Sequence, residues 1–325
     1  MVSVSERLTQ KIRAALAPCS LGCWPTPLEP APGLARALGL DELRLKREDR
    51  SSGRCGGNKV RGLEFLLAGA PAGTVFVTVG GTGSTHCLAT AVHAATLSCR
   101  VALAQFPQPE TEASRAVAAA CDANAALVVR ARTRAGLPFA LRAAWRGARR
   151  LGPRRWVPGG GAHPRAVVGH LLAALELAAE YPTPPDAIVA PLGTGGTVAG
   201  LVLGVAQLGW PTRVVGVRVA PALVANRWRT LRLARRARRL LARFGVPFPA
   251  PRSPLVVEGL GQGYGHPTPQ GEAARRLAEE HGIILDPTYG AKAFASLMER
   301  AACDARRVVF WHTFALPSRP PEPAQ

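Results

Sequence analysis

Short apolar or β-branched runs alternate along most of the chain with stretches whose apolar residues recur every three to four positions. The pattern predicts a strand over 75–79, a helix over 84–97, a strand over 100–104, a helix over 110–121, a strand over 126–130 and a helix over 139–149. The Gly/Pro-rich break Pro158-Gly159-Gly160-Gly161 interrupts this series. A second series then predicts an amphipathic helix over 163–180, a strand over 186–191, a glycine-led helix over 193–208 and a strand over 213–219. Helices follow over 227–243, 272–281 and 291–301, then a late strand over 307–311 and a loose proline-rich tail from Pro317. A βαβα rhythm implies parallel sheets with helices on both faces. Two such α/β lobes predict an active site between them, near strand C-termini and helix N-termini.

With 325 residues, 47% of them hydrophobic and 19% charged, the chain has ample material for a core without disulfides. No apolar run is long enough to span a bilayer, and the first sixteen residues are polar and charged rather than signal-like. Seven scattered cysteines read as reduced thiols, which suits a cytoplasmic protein. The net charge of +20 raises the question of a nucleic-acid partner. Its densest source, residues 227–243, spaces Leu231, Leu233, Ala234, Ala237, Leu240 and Leu241 roughly as a helix would. The arginines then fall mostly on a solvent face, and a nucleic-acid role is the weaker reading. Arginine, alanine, glycine and proline are abundant together, as a GC-rich coding bias would produce.

Three strand-to-helix turns carry candidate chemistry. Leu192-Gly193-Thr194-Gly195-Gly196-Thr197 follows an apolar strand and opens a helix, so backbone N–H groups and the dipole end could cradle a phosphate. It is neither a P-loop nor a dinucleotide fingerprint, and a plain tight turn is the competing reading. Gly80-Gly81-Thr82-Gly83-Ser84-Thr85-His86 could seat a carboxylate, or Ser84 or Thr85 could simply cap the next helix. Cys55-Gly56-Gly57-Asn58-Lys59-Val60-Arg61 is set apart by its lysine, because only four of the 41 basic residues are lysines. A lysine can lose its proton and form an imine, which an arginine cannot. Lys59 opens a helix predicted over 58–70, where the dipole lowers the amine pKa; Lys11, Lys46 and Lys292 read as exposed surface residues. The histidines and cysteines have no metal-ligand spacing, Cys55 and Cys87 read as packed thiols, and Glu64 as a structural ion-pair partner.

Several ordered blocks closely resemble the D-cysteine desulfhydrase and 1-aminocyclopropane-1-carboxylate (ACC) deaminase family of pyridoxal 5'-phosphate (PLP) enzymes. They are Pro25-Thr26-Pro27-Leu28, Lys46-Arg47-Glu48-Asp49, the Lys59 block, the two glycine loops, Gly261-Gln262-Gly263-Tyr264-Gly265, Leu285-Asp286-Pro287-Thr288-Tyr289 and Phe310-Trp311-His312-Thr313. The resemblance spans about residues 20–316. It implies the two-lobed fold type II of tryptophan-synthase-β-like enzymes, with residues 1–52 and 159–325 as a large PLP-binding domain and 53–158 as a small α/β domain. It further implies a homodimer acting on a small amino acid. Lys59 would carry PLP and shuttle protons. Gly193, Thr194, Gly195, Gly196 and Thr197 would hold its phosphate, with Asn58, Thr85 and Thr313 as further cofactor contacts. Ser84, Thr85 and His86 would line the substrate carboxylate pocket, Ser84 near the reacting carbon, and Tyr289 would face the substrate as acid, base or nucleophile.

The chain departs from the family at three of these places. Thr85 replaces the usual asparagine, Gly290 follows the tyrosine where ACC deaminases carry glutamate, and Phe314 adds bulk where the family has glycine. Thr313 stands on the desulfhydrase side. The leading expectation is α,β-elimination of the D-cysteine type, giving pyruvate, ammonia and sulfide. ACC ring-opening deamination, cysteate sulfo-elimination and a catalytically weakened PLP-binding homologue are the alternatives.

Overall fold

The computed structural model describes residues 4–181, 183–299 and 304–315. Its strands are β1 (Leu28–Pro30), β2 (Glu42–Arg47), β3 (Val75–Gly81), β4 (Arg100–Phe106), β5 (Leu127–Arg130), β6 (Arg154–Trp156), β7 (Ala187–Leu192), β8 (Arg213–Arg218), β9 (Leu255–Glu258) and β10 (Arg307–His312). The helices are α1 (Val4–Leu16), α2 (Pro32–Ala37), α3 (Lys59–Leu66), α4 (Thr85–Ala95), α5 (Glu112–Asn124), α6 (Leu137–Leu151), α7 (Pro164–Glu180), α8 (Gly196–Leu208), α9 (Arg227–Arg243), α10 (Pro269–Glu279) and α11 (Gly290–Met298). Two sheets form, in the orders β1-β2-β10-β7-β8-β9 and β5-β4-β3-β6. Every pairing is parallel except the edge pair β1–β2.

Strand alternation divides the large sheet between two cores. Ile188, Ala190 and Leu192 of β7 join the cluster beneath α7, α8 and α9, whereas Ala187 and Val189 join α10 and α11 on the other face. In the smaller sheet, Phe76 of β3 packs on α4, and Val75 and Val77 pack on α6. The α6 contact is a stripe of Ala140, Ala144 and Ala148, small residues at i, i+4 and i+8.

α7 is buried over most of its length rather than amphipathic, because α1, α3, α8 and α9 all pack against it. Glycines bring these helices close: a Cβ on Gly169 would lie 2.1 Å from the Arg61 carbonyl oxygen, and one on Gly200 would lie 2.4 Å from the His170 Cβ. α3 and α8, two of the three helices opened by candidate loops, are therefore both fixed to α7. α9 coincides with the residues predicted, and Arg229, Arg232, Arg235, Arg236 and Arg239 are exposed on it.

Two lysines differ from expectation. Lys46 is fully buried and bonds Glu180 and the Thr26 carbonyl, both at 2.6 Å. Lys292 is 2% exposed and donates to the carbonyls of Leu260 (2.8 Å) and Gly263 (3.1 Å). Each replaces water by protein oxygens, which is how an ammonium tolerates burial. Among the described residues no helix is long and apolar enough to cross a membrane. The proline-rich tail, and the last two positions of the helix predicted over 291–301, lie outside the described residues.

Candidate active site

A cavity of about 380 Å³ collects residues from both sheets' loops. Asn58, Lys59, Ser84, Thr85, His86, Gly193, Thr194, Gly195, Gly196, Thr197, Tyr289 and Thr313 all line it, so every candidate site residue named from the sequence meets in one place.

Lys59 is the first residue of α3, and its helix start has no side-chain cap. Among the described residues nothing accepts a hydrogen bond or ion pair from its amine. Burial draws its pKa down to about 8, so desolvation rather than the helix dipole is the cause found. The preceding Asn58 ties this helix to two others parts of the site: its N–H donates to the Thr313 carbonyl (2.9 Å), and its Nδ2 to Thr197 Oγ1 (2.8 Å).

The loop 193–197 ends β7 and starts α8. Gly195 is the N-cap residue in the left-handed conformation, φ 89°, and no side chain caps the helix. A helix start without a cap leaves its first N–H groups open to the cavity. Thr194 Oγ1 reaches back to the Gly160 carbonyl at 3.3 Å. A Cβ on Gly195 would lie 2.9 Å from Thr230 Oγ1, so the loop is shaped for glycine there.

Ser84 does cap α4, accepting from the Cys87 N–H at 3.4 Å, and it lines the cavity at the same time. The capping role and a place on the cavity wall therefore coexist at that serine. His86 Nε2 pairs with Thr78 Oγ1 at 3.0 Å. Burial, reinforced by the charge of Lys59, pushes His86 down to about 3, so it is a neutral group near physiological pH. Cys55 and Cys87 are packed thiols, each raised to about 12 by burial. Glu64 is structural: it accepts from Leu21 N, Gly22 N and Trp24 Nε1 and pairs with Arg13.

Tyr289 meets a partner that the sequence left without a role. Its hydroxyl lies 2.5 Å from that of Tyr264, and burial raises Tyr264 to about 12 and Tyr289 well above 10. A single tyrosine in a glycine-rich loop gives no periodic signal, so Tyr264 was legible only as part of a motif. Asp286 holds the helix that follows: its carboxylate accepts the N–H groups of Thr288, Tyr289 and Gly290 at 2.7–3.1 Å. Gly290 is absent from the cavity lining. A Cβ there would point at Asp286 Oδ2, 3.0 Å away, so this position presents no side chain to the cavity for reasons of packing as well as identity. Phe314 does line the cavity.

An amine without a protein partner, drawn toward neutrality, beside an uncapped glycine-rich helix start fits a phosphorylated aldehyde cofactor. Comparison with known proteins agrees. A sequence family described as "Pyridoxal-phosphate dependent enzyme" matches residues 19–313. A relative named nocardicin C-9' epimerase, from Nocardia uniformis subsp. tsuyamanensis, is 37% identical over 89% of this chain and 90% of its own length. A putative ACC deaminase of Pyrococcus horikoshii is 31% identical (89% of each chain), and a D-cysteine desulfhydrase of Yersinia pestis is 30% identical (90% of this chain, 92% of its own). A solved structure of an ACC deaminase homologue superposes with a TM-score of 0.79 at 28% identity, covering 94% of this chain and 95% of that one. A threonine deaminase structure, 22% identical with a TM-score of 0.67, shares the fold.

The fold and site thus define a fold type II PLP-dependent enzyme. Within that class the chain belongs to the family that holds the D-cysteine desulfhydrases and ACC deaminases.

Proposed function

We propose that the protein is a PLP-dependent lyase that eliminates a β leaving group from a small α-amino acid, with D-cysteine as the leading substrate. One observation carries this reading: among the described residues, no carboxylate lines the cavity. Asp286, the nearest in sequence to Tyr289, is committed to the α11 backbone. By the family resemblance, Thr313 is the residue that would face the pyridine nitrogen, and it offers a hydroxyl. PLP, when bound, supplies an electron sink for the α carbon. A carboxylate beside its ring nitrogen would keep that nitrogen protonated and deepen the sink, whereas a hydroxyl leaves it largely neutral. Elimination tolerates a weaker sink because a β leaving group carries the charge away. ACC has no such group.

The chain's own residues take the remaining roles. Lys59 holds the cofactor and, as a free amine with a pKa near 8, accepts the α proton. The N–H groups opening α8, with Thr194 and Thr197, hold the phosphate. Asn58 fixes the lysine's helix to that phosphate loop. Ser84 and Thr85 supply hydroxyl and N–H donors to the substrate carboxylate at the start of α4. The neutral hydroxyl of Tyr289, backed by Tyr264, is a proton donor for the departing thiolate rather than a base. Overall, D-cysteine and water give pyruvate, ammonia and hydrogen sulfide.

A second reading, epimerisation, is favoured by the 37% identical relative named as an epimerase. It requires a proton donor other than Lys59, and Ser84 and Tyr289 are the candidates. A panel of D-cysteine, β-chloro-D-alanine, cysteate, ACC and amino acids without a β leaving group separates these readings. The elimination reading expects 2-oxo acid only from β-substituted members. Faster turnover of ACC than of every β-substituted amino acid would refute it. Inversion without 2-oxo acid release would favour the epimerase.

A further inference from the structure

The cavity extends past the residues used by the chemistry above. Tyr289, Tyr264 and Phe106 stand in succession along one wall, with ring centroids 6.1 Å apart (71° between planes) and then 6.5 Å apart (48°). The guanidinium of Arg134 continues the row, its Cζ 5.9 Å from the Phe106 centroid. All four residues line the cavity, as do the apolar Leu137 and Val224. Arg134 is exposed, whereas Tyr264 and Tyr289 are only partly so, which places the arginine toward the solvent end of the row. Among the described residues no carboxylate pairs with Arg134, although Arg130, four positions earlier, binds Asp122 at 2.6 Å. Its backbone is held in a short turn, in which Thr133 Oγ1 accepts the Gly136 N–H at 3.2 Å.

From this row we infer that, beyond D-cysteine, the cavity also receives a substrate whose β leaving group is extended and flat and ends in an acidic group, which Arg134 receives at the cavity mouth. The inference rests on the PLP reading of the site and extends its substrate class. Ring faces favour a flat, apolar segment through stacking and edge contacts. A guanidinium over an aromatic ring offers a planar fork that suits a carboxylate and is unused by the protein. A cysteine-sized side chain would engage neither. Among the described residues, Lys59 and Arg134 are the only lysine and arginine lining the cavity, so a distal acid has one destination once the amine is committed to the cofactor.

The test uses the PLP-loaded enzyme and reads binding separately from turnover. Dissociation constants of 4-carboxyphenylalanine and its neutral isostere 4-carbamoylphenylalanine, each as both enantiomers, are measured by titrating the visible cofactor band. The same is done for a pair lengthened by one methylene oxygen link, O-carboxymethyl- and O-carbamoylmethyl-tyrosine. In the wild type at least one acid binds roughly 5-fold or more tightly than its amide, the scale of an exposed charge pair. That preference is lost in Arg134→Gln and kept in Arg132→Gln, an exposed neighbour outside the cavity lining. Equal binding of acid and amide in both pairs, or a preference that survives Arg134→Gln, overturns the inference. Conversion of β-chloro-D-alanine to pyruvate is measured alongside; its failure bears on the elimination reading, not on the acid preference.

Discussion

Replacing Gly195 by alanine separates what the phosphate loop does for the fold from what it does for the cofactor. Gly195 has φ 89°, a conformation that costs an L-residue about 1–2 kcal/mol. Its new methyl would also lie 2.9 Å from Thr230 Oγ1. That hydroxyl is held by a 2.9 Å bond to the Asn226 carbonyl, and turning it away costs roughly 1 kcal/mol. The expected destabilisation is about 2–3 kcal/mol, read by urea unfolding of the apoprotein. The shift should also move the N–H groups opening α8 and weaken PLP binding by roughly 10-fold or more, since each hydrogen bond to a charged group is worth about 1.5–3 kcal/mol. Gly209→Ala is the control. It closes the same helix at φ 66° with nothing within 4 Å of the added Cβ, so it should lose about 1 kcal/mol and keep its PLP affinity. If Gly195→Ala bound PLP as tightly as Gly209→Ala, the phosphate would not lie on this loop.

Arg61→Met should cost about 3–5 kcal/mol in urea unfolding, because it leaves Glu48, which is 0% exposed, without the guanidinium that bonds it at 2.6 and 2.9 Å. Lys292→Met should cost about 1–2 kcal/mol and alter the ultraviolet titration of the Tyr264–Tyr289 pair, because Lys292 holds the Leu260 and Gly263 carbonyls of the loop leading to Tyr264. An unchanged tyrosine titration would show that the loop keeps its place without the lysine. Capture of PLP by the apoprotein should quicken about tenfold per pH unit up to about pH 7 and level off above pH 8, since the neutral amine is the nucleophile and burial holds Lys59 at about 8. A rate still climbing at pH 10 would mean that the amine is not desolvated.

The parts of the molecule legible in the sequence are those with a strong period or a rare residue. α9 was bounded correctly because its apolar residues recur against arginines, and Lys59 stood out because lysine is scarce. β6 was missed: it has three residues, its two arginines carry no alternation, and it pairs on one side only. β9 was missed for a related reason, being four residues long at a sheet edge. The burial of Lys46 was hidden because its strand alternates polar and apolar residues as a half-exposed strand does, and only the distant Glu180 makes burial tolerable. The amphipathic expectation for α7 failed because four helices of different sequence separation converge on it, a property of tertiary packing rather than of its own pattern. In the site, loops bearing glycine and hydroxyl residues announced themselves, whereas Phe106 is brought in by the end of β4 and Arg134 and Tyr264 by two separate loops, and the three share no spacing.

The central claim is that Lys59 carries the cofactor, and four lysines make it directly testable. Lys11 donates to the Gly245 carbonyl, Lys46 to Glu180 and Thr26, and Lys292 to Leu260 and Gly263. Lys59 alone, among the described residues, has an amine free of protein partners and open to the cavity. Borohydride reduction of the PLP-loaded enzyme, followed by proteolysis and mass spectrometry, should place the pyridoxyl group on Lys59, and Lys59→Ala should lack the visible cofactor band. A pyridoxyl group on Lys11, Lys46 or Lys292 would contradict the account.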